Sequence, residues 1–138
     1  MHTNYTNNQK FQNNKLIYPK LSYFLTGICF KIHNELGRYC REIQYCNKLE
    51  EKLKELKIVC VREYPIAKTG NKIDFLIDDK IILEIKAKRA ILKEDYYQVQ
   101  RYLQSLDKKL ALLINFRNRY LKPIRIVKID TDIKNKFL

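Results

Sequence analysis

Three features are missing from this sequence, and each absence removes a class of protein. No uncharged stretch approaches the roughly 20 apolar residues that span a bilayer, which excludes a membrane-spanning protein. The N-terminus lacks the basic, apolar and small-residue order of a signal peptide, so we expect a cytoplasmic protein. The cysteines include no C-x-x-C pair, a poor spacing for zinc, and in a reducing compartment we expect four mostly buried thiols: Cys29, Cys40, Cys46 and Cys60.

Acidic residues are also scarce. Lys+Arg number 28 against 15 Asp+Glu, a formal net charge of +13. Such an excess indicates a polyanionic partner, because lysines that neutralise phosphates release condensed counterions, and nucleic acid is the first candidate. A compositional origin stays open, since Lys, Ile and Asn are all abundant, as in a chain encoded by AT-rich DNA.

The length of 138 residues suits a single domain with its own core. Residues 1–19 are polar and rich in asparagine, so we expect an unstructured or loosely docked leader. The remaining residues, 20–138, are expected to form one domain. We find no internal repeat.

Apolar residues at helical spacing predict three helices. The first runs from Leu21 to a stop at Gly37, and the second covers residues 39–56. Extending the apolar stripe of the second helix back by four residues reaches Glu42, so a carboxylate is expected on an inward face, where it is costly unless paired. The third helix covers 92–106, with an apolar stripe of Leu92, Tyr96, Val99, Leu103 and Leu106.

Five segments read as strands: 58–64, 72–77, 81–88, 110–116 and 124–129. The second and third are joined by Asp78-Asp79-Lys80 as a hairpin. A three-residue loop pairs Ile77 with Ile81, Phe75 with Leu83 and Ile73 with Ile85 on one apolar face. The opposite face then holds Asp74 across from Glu84, with Lys86 two residues further on. The order of elements predicts a mixed sheet with helices against it.

Two facing carboxylates beside a lysine suit a hard divalent cation and the water that it activates. Lys86 could orient that water or contact phosphate oxygens. The alternative is an ordinary salt-bridged face of a solvated hairpin. Gln98 and Tyr102, four apart on the third helix, are expected to border the same site, or else are surface polar residues.

The motifs Asp74, Glu84-Ile85-Lys86 and Gln98-x-x-x-Tyr102 together resemble those of the PD-(D/E)XK nuclease superfamily, and the last of them resembles RecB-type exonuclease domains. Within that group the chain looks most like the small GxxExxY proteins. The resemblance runs from about Leu21 to Ile129. Its supporting stretches are LSYFLTGICFKIHNELG, EIQY, DFLIDDKIILEIKA, QVQRYL and LALLINF.

This resemblance implies an α/β restriction-endonuclease-like core, a mixed central sheet flanked by helices in the order αβββαβ, with an extra N-terminal helix and C-terminal strand. It implies Mg²⁺ or Mn²⁺ as the cofactor. The residues that match family positions are the first-helix acid and metal ligand Glu42, the metal ligands Asp74 and Glu84, the catalytic lysine Lys86, and Gln98 and Tyr102 lining the site.

The sequence also departs from the family pattern. The family usually has a Pro-Gly pair where this chain has Arg38 and Tyr39, so Arg38 could instead reach a phosphate. We expect Arg38, Lys88, Arg89 and Arg101 to contact nucleic acid. Some RecB-type relatives hold an iron–sulfur cluster on cysteines that lie mostly downstream of the core. Here all four cysteines precede Asp74, so the resemblance does not imply such a cluster. His33 is interpreted as a helix-packing residue rather than a metal ligand.

The implied activity is metal-dependent hydrolysis of nucleic acid, with DNA favoured over RNA and exonuclease or endonuclease action left open. The main alternative is a catalytically weak nucleic-acid-binding module of the same fold that acts with a partner protein. A structural protein with an incidental basic surface explains neither Glu42 nor the motif set. A homodimer and a protein partner are both compatible with the sequence.

Overall fold

The computed structural model describes residues 17–130, so most of the predicted leader and the last eight residues lie outside the described part. Within residues 17–130, no helix is long and apolar enough to cross a bilayer. The elements in chain order are α1 Pro19–Leu36, α2 Glu42–Glu55, β1 Cys60–Pro65, β2 Lys72–Ile77, β3 Ile81–Lys86, α3 Lys93–Leu106, β4 Leu110–Asn115 and β5 Ile124–Val127.

The five strands form one mixed sheet in the order β1-β2-β3-β4-β5. β3 and β4 are parallel and are connected by α3, whereas the other neighbours are antiparallel. Parallel neighbours need such a crossover, and a helix that covers the sheet supplies it. The predicted fold class is therefore confirmed, including the extra helix α1 before the αβββαβ core and the extra strand β5 after it.

Apolar side chains cover both faces of the sheet. On one face, α1 and α2 pack against alternate residues of the central strands, with Leu25, Ile32, Leu49 and Leu53 fully buried. On the other face, α3 packs through Val99 and Leu103. All six residues of β4 are buried, as its unbroken apolar run predicts for a strand covered on both faces.

The predicted register of the β2–β3 hairpin is confirmed from Phe75–Leu83 to Ile77–Ile81. The backbone pairing stops beyond Phe75, so the predicted Ile73–Ile85 pair is wrong. Ile85 packs on the α1 and α2 side, whereas Ile73 packs on the α3 side. The backbone ladder stops there because side-chain oxygens of Asp74 and Glu84 accept hydrogen bonds that backbone carbonyls would otherwise accept.

The predicted face of α3 also needs correction. Leu92 and Tyr96 are 53% and 39% exposed, while Asp95 and Tyr102 are buried beside Val99 and Leu103. The cause is polar. The carboxylate of Asp95 turns inward, where Oδ2 accepts hydrogen bonds from the backbone N–H of Leu92 and from Lys88 Nζ, both at 2.7 Å.

The second helix begins later than predicted, at Glu42. Glu42 is exposed, so the expectation of an inward carboxylate in line with the apolar stripe is wrong. The first turn of α2 extends past the edge of the core, and burial begins at Tyr45. Leu56, the last predicted stripe residue, follows the end of the helix and is 49% exposed.

Candidate active site

The candidate site lies where β2 and β3 separate. Here the two acidic side chains bridge the strands reciprocally: the backbone N–H of Asp74 donates to Glu84 Oε1 at 2.8 Å, and the backbone N–H of Ile85 donates to Asp74 Oδ2 at 2.7 Å. Each carboxylate thus takes the place of a carbonyl in the ladder. The second oxygen of each carboxylate is not committed to the ladder, and the pair is fixed by backbone rather than by flexible side chains.

Glu84 is 4% exposed and Asp74 is half-buried. Among the residues that the structure describes, neither carboxylate forms an ion pair with a lysine or arginine. This face is therefore not the solvated, salt-bridged hairpin surface of the alternative interpretation. Buried carboxylates without a paired cation are expensive to keep ionised.

The protonation equilibria follow from this placement. Burial raises the pKa of Glu84 to about 8, and the neighbouring charge of Asp74 acts in the same direction. Burial also raises the pKa of Asp74, against the opposing effects of the Ile85 N–H and of Lys86. Two adjacent carboxylates of this kind favour the uptake of a proton or a cation over double ionisation.

Lys86 lies on the same side of β3 as Glu84, two residues further along. Its Nζ is 3.5 Å from Gln98 Oε1, a contact that ties the end of β3 to α3. Tyr102 is 7% exposed, and burial together with the charge of Glu84 raises the pKa of its hydroxyl, while a hydrogen bond with Gln98 lowers it. The structure therefore brings five of the predicted site residues together: Asp74, Glu84, Lys86, Gln98 and Tyr102.

Glu42 approaches the same site from the start of α2. It lines, together with Asp74, Cys46 and Arg62, a cleft of about 210 Å³. Although Glu42 is exposed to solvent, partial desolvation within the cleft raises the pKa of its carboxyl, and the charge of Lys86 opposes that shift. Glu42 on α2 and Asp74 on β2 thus border one cleft.

The donor chemistry of the pair fits a hard divalent cation. Mg²⁺ commonly takes one or two protein carboxylates and completes its coordination with water and substrate oxygens. Within residues 17–130, no group of three or more His, Cys, Asp and Glu side chains is arranged to hold a metal ion. Asp74 and Glu84 would therefore need oxygen ligands from water or substrate.

The predicted nucleic-acid contacts fall into two kinds. Lys88 is engaged, because its Nζ lies 2.7 Å from Asp95 Oδ2. Arg38 lies over the ring of Tyr39, with its guanidinium carbon 5.0 Å from the ring centroid. Arg89 and Arg101 are exposed and have no ion-pair partner in the described part of the chain.

The interpretation of His33 as a packing residue agrees with its contact from Nε2 to the backbone oxygen of Asn118 at 2.8 Å.

Sequence reasoning missed Asn115, the last residue of β4. It is 3% exposed, and its side chain donates to the backbone oxygen of Lys88 at 2.8 Å and accepts from the backbone N–H of Lys88 at 3.1 Å. It thereby fixes the chain just after β3, the strand that carries Glu84 and Lys86. A polar residue closing an otherwise apolar run was the available signal.

The family profile described as the PD-(D/E)XK nuclease superfamily matches residues 19–127. No curated protein matches the chain. Two solved structures are similar to it. The crystal structure of SSO0001 is 22% identical, with a TM-score of 0.45, and the match covers 64% of this chain and half the length of SSO0001 (50%). The alkaline exonuclease LHK-Exo from Laribacter hongkongensis is 14% identical, with a TM-score of 0.45, and the match covers 83% of this chain and 72% of that one.

Proposed function

This chain belongs to the PD-(D/E)XK nuclease superfamily, and from that premise we propose that it is a Mg²⁺- or Mn²⁺-dependent nuclease that hydrolyses phosphodiester bonds, with DNA favoured over RNA. The observation that carries the proposal is the reciprocal bridge of Asp74 and Glu84 across β2 and β3. Resemblance to the GxxExxY proteins, which is a finer assignment than the superfamily, remains a prediction.

Asp74 and Glu84 would hold the ion. When bound, a divalent ion supplies Lewis acidity toward water and phosphate oxygens. The carboxylates are already in position, because backbone N–H groups fix one oxygen of each. Preorganisation of this kind places charge before the substrate arrives, so little reorganisation is needed during the reaction.

Lys86 supplies the positive charge that the site needs on the substrate side. Its ammonium group is directed by Gln98 Oε1 and can stabilise negative charge that develops on the scissile phosphate. Tyr102 supports Gln98 from the next turn of α3, so both are expected to act mainly by positioning. Glu42, exposed at the opposite side of the cleft, is suited to orient an attacking water or to join the metal ligands.

The test is cleavage of end-labelled single-stranded and double-stranded DNA and RNA in Mg²⁺, Mn²⁺ or EDTA. Asp74→Asn, Glu84→Gln and Lys86→Ala should each lower the rate by at least about 100-fold, the usual cost of losing one well-placed electrostatic or proton-transfer group. The matched control is Lys109→Ala, which removes an exposed lysine at the opposite end of the sheet and should leave cleavage unchanged.

Metal binding separates the roles within the set. Titration should show weaker Mn²⁺ affinity in Asp74→Asn and Glu84→Gln, but unchanged or tighter affinity in Lys86→Ala, because a competing positive charge is gone. Binding of nucleic acid should survive in all three variants. Cleavage that persists undiminished in Lys86→Ala would indicate a contaminating nuclease and favour the weakly catalytic binding module that acts with a partner protein.

A further inference from the structure

Exposed aromatic rings and guanidinium groups cluster just after α1 and in the loop after β4. Tyr39 is 75% exposed, and the guanidinium carbons of Arg38 and Arg117 lie 5.0 and 5.5 Å from its ring centroid. In the same loop, Arg119 lies 5.4 Å from the ring of Tyr120, which is 77% exposed. We call Arg38, Tyr39 and Arg117 the Tyr39 platform.

The arginines of the platform keep N–H groups that can bind an anion. In the part of the chain that the structure describes, no carboxylate pairs with Arg38 or Arg117, and the Nε atom of each is buried without a hydrogen-bond partner. A guanidinium stacked near an aromatic ring gains cation–π attraction and keeps its outer N–H groups available. Both arginines can therefore hold Tyr39 in place and still meet an anion.

The backbone beneath the platform is held to the sheet. The hydroxyl of Tyr45 donates to the backbone oxygen of Gly37 at 2.6 Å and accepts from the backbone N–H of Cys40 at 3.2 Å. The ring of Tyr45 stacks on Phe116, with centroids 4.2 Å apart. Segment 37–40 is thus fixed against the residue that immediately precedes Arg117.

The platform also adjoins the candidate active site. The backbone N–H of Phe116 donates to the backbone oxygen of Lys86 at 2.9 Å, so the chain enters the platform directly beside the catalytic strand. Glu42, which borders the cleft, follows Tyr39 by three residues at the start of α2. A nucleic-acid strand bound along this end of the sheet would therefore meet both the end of β3 and the platform.

We propose that the Tyr39 platform stacks an unpaired base of the substrate strand while Arg38 and Arg117 contact its phosphates, which makes single-stranded or frayed nucleic acid the preferred substrate. This inference deepens the proposed nuclease function and rests on it, because a strand bound for cleavage at Lys86 is what would bring a base to Tyr39. Bases stack on exposed aromatic rings without regard to sequence, whereas bases within a duplex cannot reach such a ring. An exposed ring with guanidinium groups beside it thus favours an unpaired strand over a duplex.

Binding measured in EDTA isolates the platform from cleavage. We would titrate the full chain into a fluorescein-labelled oligothymidine and a blunt hairpin duplex and follow anisotropy. Tyr39→Ala should weaken oligothymidine binding by about 5- to 100-fold, the range found when a base-stacking ring is removed. Tyr39→Phe, which keeps the ring, should bind within about twofold of the unmodified chain. Duplex binding should change little in either variant.

Controls come from the chain itself. Tyr23 is 82% exposed in the first half of α1, where it lines a pocket with Pro123 and Arg125 and has no contact with the Tyr39 platform among the described residues, so Tyr23→Ala should not change binding. The sequence contains no tryptophan, so Tyr39→Trp introduces a single indole whose fluorescence should be quenched by unlabelled oligothymidine, whereas that of Tyr23→Trp should not. Arg117→Gln should weaken binding of both the oligothymidine and the duplex. It should also lower the slope of log affinity against log salt concentration by about one.

The outcomes distinguish the two proposals. If cleavage depends on Lys86 but Tyr39→Ala binds oligothymidine as tightly as the unmodified chain, the platform is wrong and the nuclease assignment stands. If Tyr39→Ala weakens duplex and single strand equally, the platform is also wrong. If Tyr39-dependent binding is present without Lys86-dependent cleavage, the platform stands as a binding surface and the nuclease assignment fails. Thermal melting of each variant excludes loss of fold as the cause.

Discussion

Removing the Asn115 side chain should destabilise the protein more than any surface change of equal size. The side chain is 3% exposed and serves three backbone groups. Its Nδ2 donates to the Lys88 oxygen at 2.8 Å, and its Oδ1 accepts from the backbone N–H groups of Lys88 and Arg117 at 3.1 and 3.3 Å. In Asn115→Ala these groups lose their partner in a largely buried position.

The magnitude follows from the number of bonds. An intramolecular hydrogen bond is worth a net value of roughly 1 kcal/mol, and a buried group left unsatisfied costs about 1 to 3 kcal/mol. Three bonds therefore predict a loss of about 3 kcal/mol in the free energy of unfolding. That is a large share of the roughly 5 to 15 kcal/mol typical of a domain. Lys88 and Arg117 should also shift, so binding of nucleic acid should weaken as well.

Urea denaturation followed by far-UV circular dichroism measures the change directly. The midpoint should fall while the slope with urea stays constant, because the native fold and the surface exposed on unfolding are retained. The matched control is Asn34→Ala on the exposed face of α1, where the side chain makes no hydrogen bond to another described residue. A loss below about 1 kcal/mol in Asn115→Ala, or one equal to that of Asn34→Ala, would refute the reasoning.

Three further outcomes are expected. In the metal-free protein, urea titrations should show stability falling between pH 4.5 and about 8, because the unfolded chain releases the Glu84 proton at lower pH than the folded chain does; Glu84→Gln should flatten that profile, and an unchanged profile would contradict the buried pair. Mass spectrometry after native alkylation should find label on the half-buried Cys40 and Cys60, and on Cys29 and Cys46 only after unfolding, because burial raises the pKa of both thiols to about 12. Affinity for nucleic acid should fall steeply with salt, whereas salt-independent binding would favour the compositional origin of the lysines.

Hydrophobic periodicity predicted the parts of the fold that depend on burial. The stripe of α1 and the unbroken run of β4 both occur where expected, because each element buries a continuous apolar surface. The hairpin register was also predictable, since a slip by one residue would have moved every apolar side chain to the wrong face. Extending that register brought Asp74 and Glu84 close together on paper, although the backbone pairing itself ends at Phe75–Leu83 and side-chain bonds join the two acids.

Periodicity failed where polar groups compete for inward positions. Asp95 is buried because it satisfies Leu92 and Lys88, and this turns α3 so that Tyr96 is exposed. Likewise, the ladder between β2 and β3 ends because Asp74 and Glu84 bond to backbone N–H groups across the strands. Alternation of apolar residues contains no information on such bonds, which depend on distances between side chains and backbone of other elements.

The Tyr39 platform shows a second limit of sequence reasoning. The sequence does reveal that Arg38 and Tyr39 stand where relatives usually carry Pro-Gly, but Arg117, which completes the platform, lies far away in the chain. The two segments meet because Tyr45 stacks on Phe116 and at the same time binds the backbone of segment 37–40. Within residues 17–130 neither guanidinium group has a carboxylate partner, and an exposed ring beside them contributes little to core stability. An anionic, base-bearing ligand therefore explains the placement of this ring better than folding does.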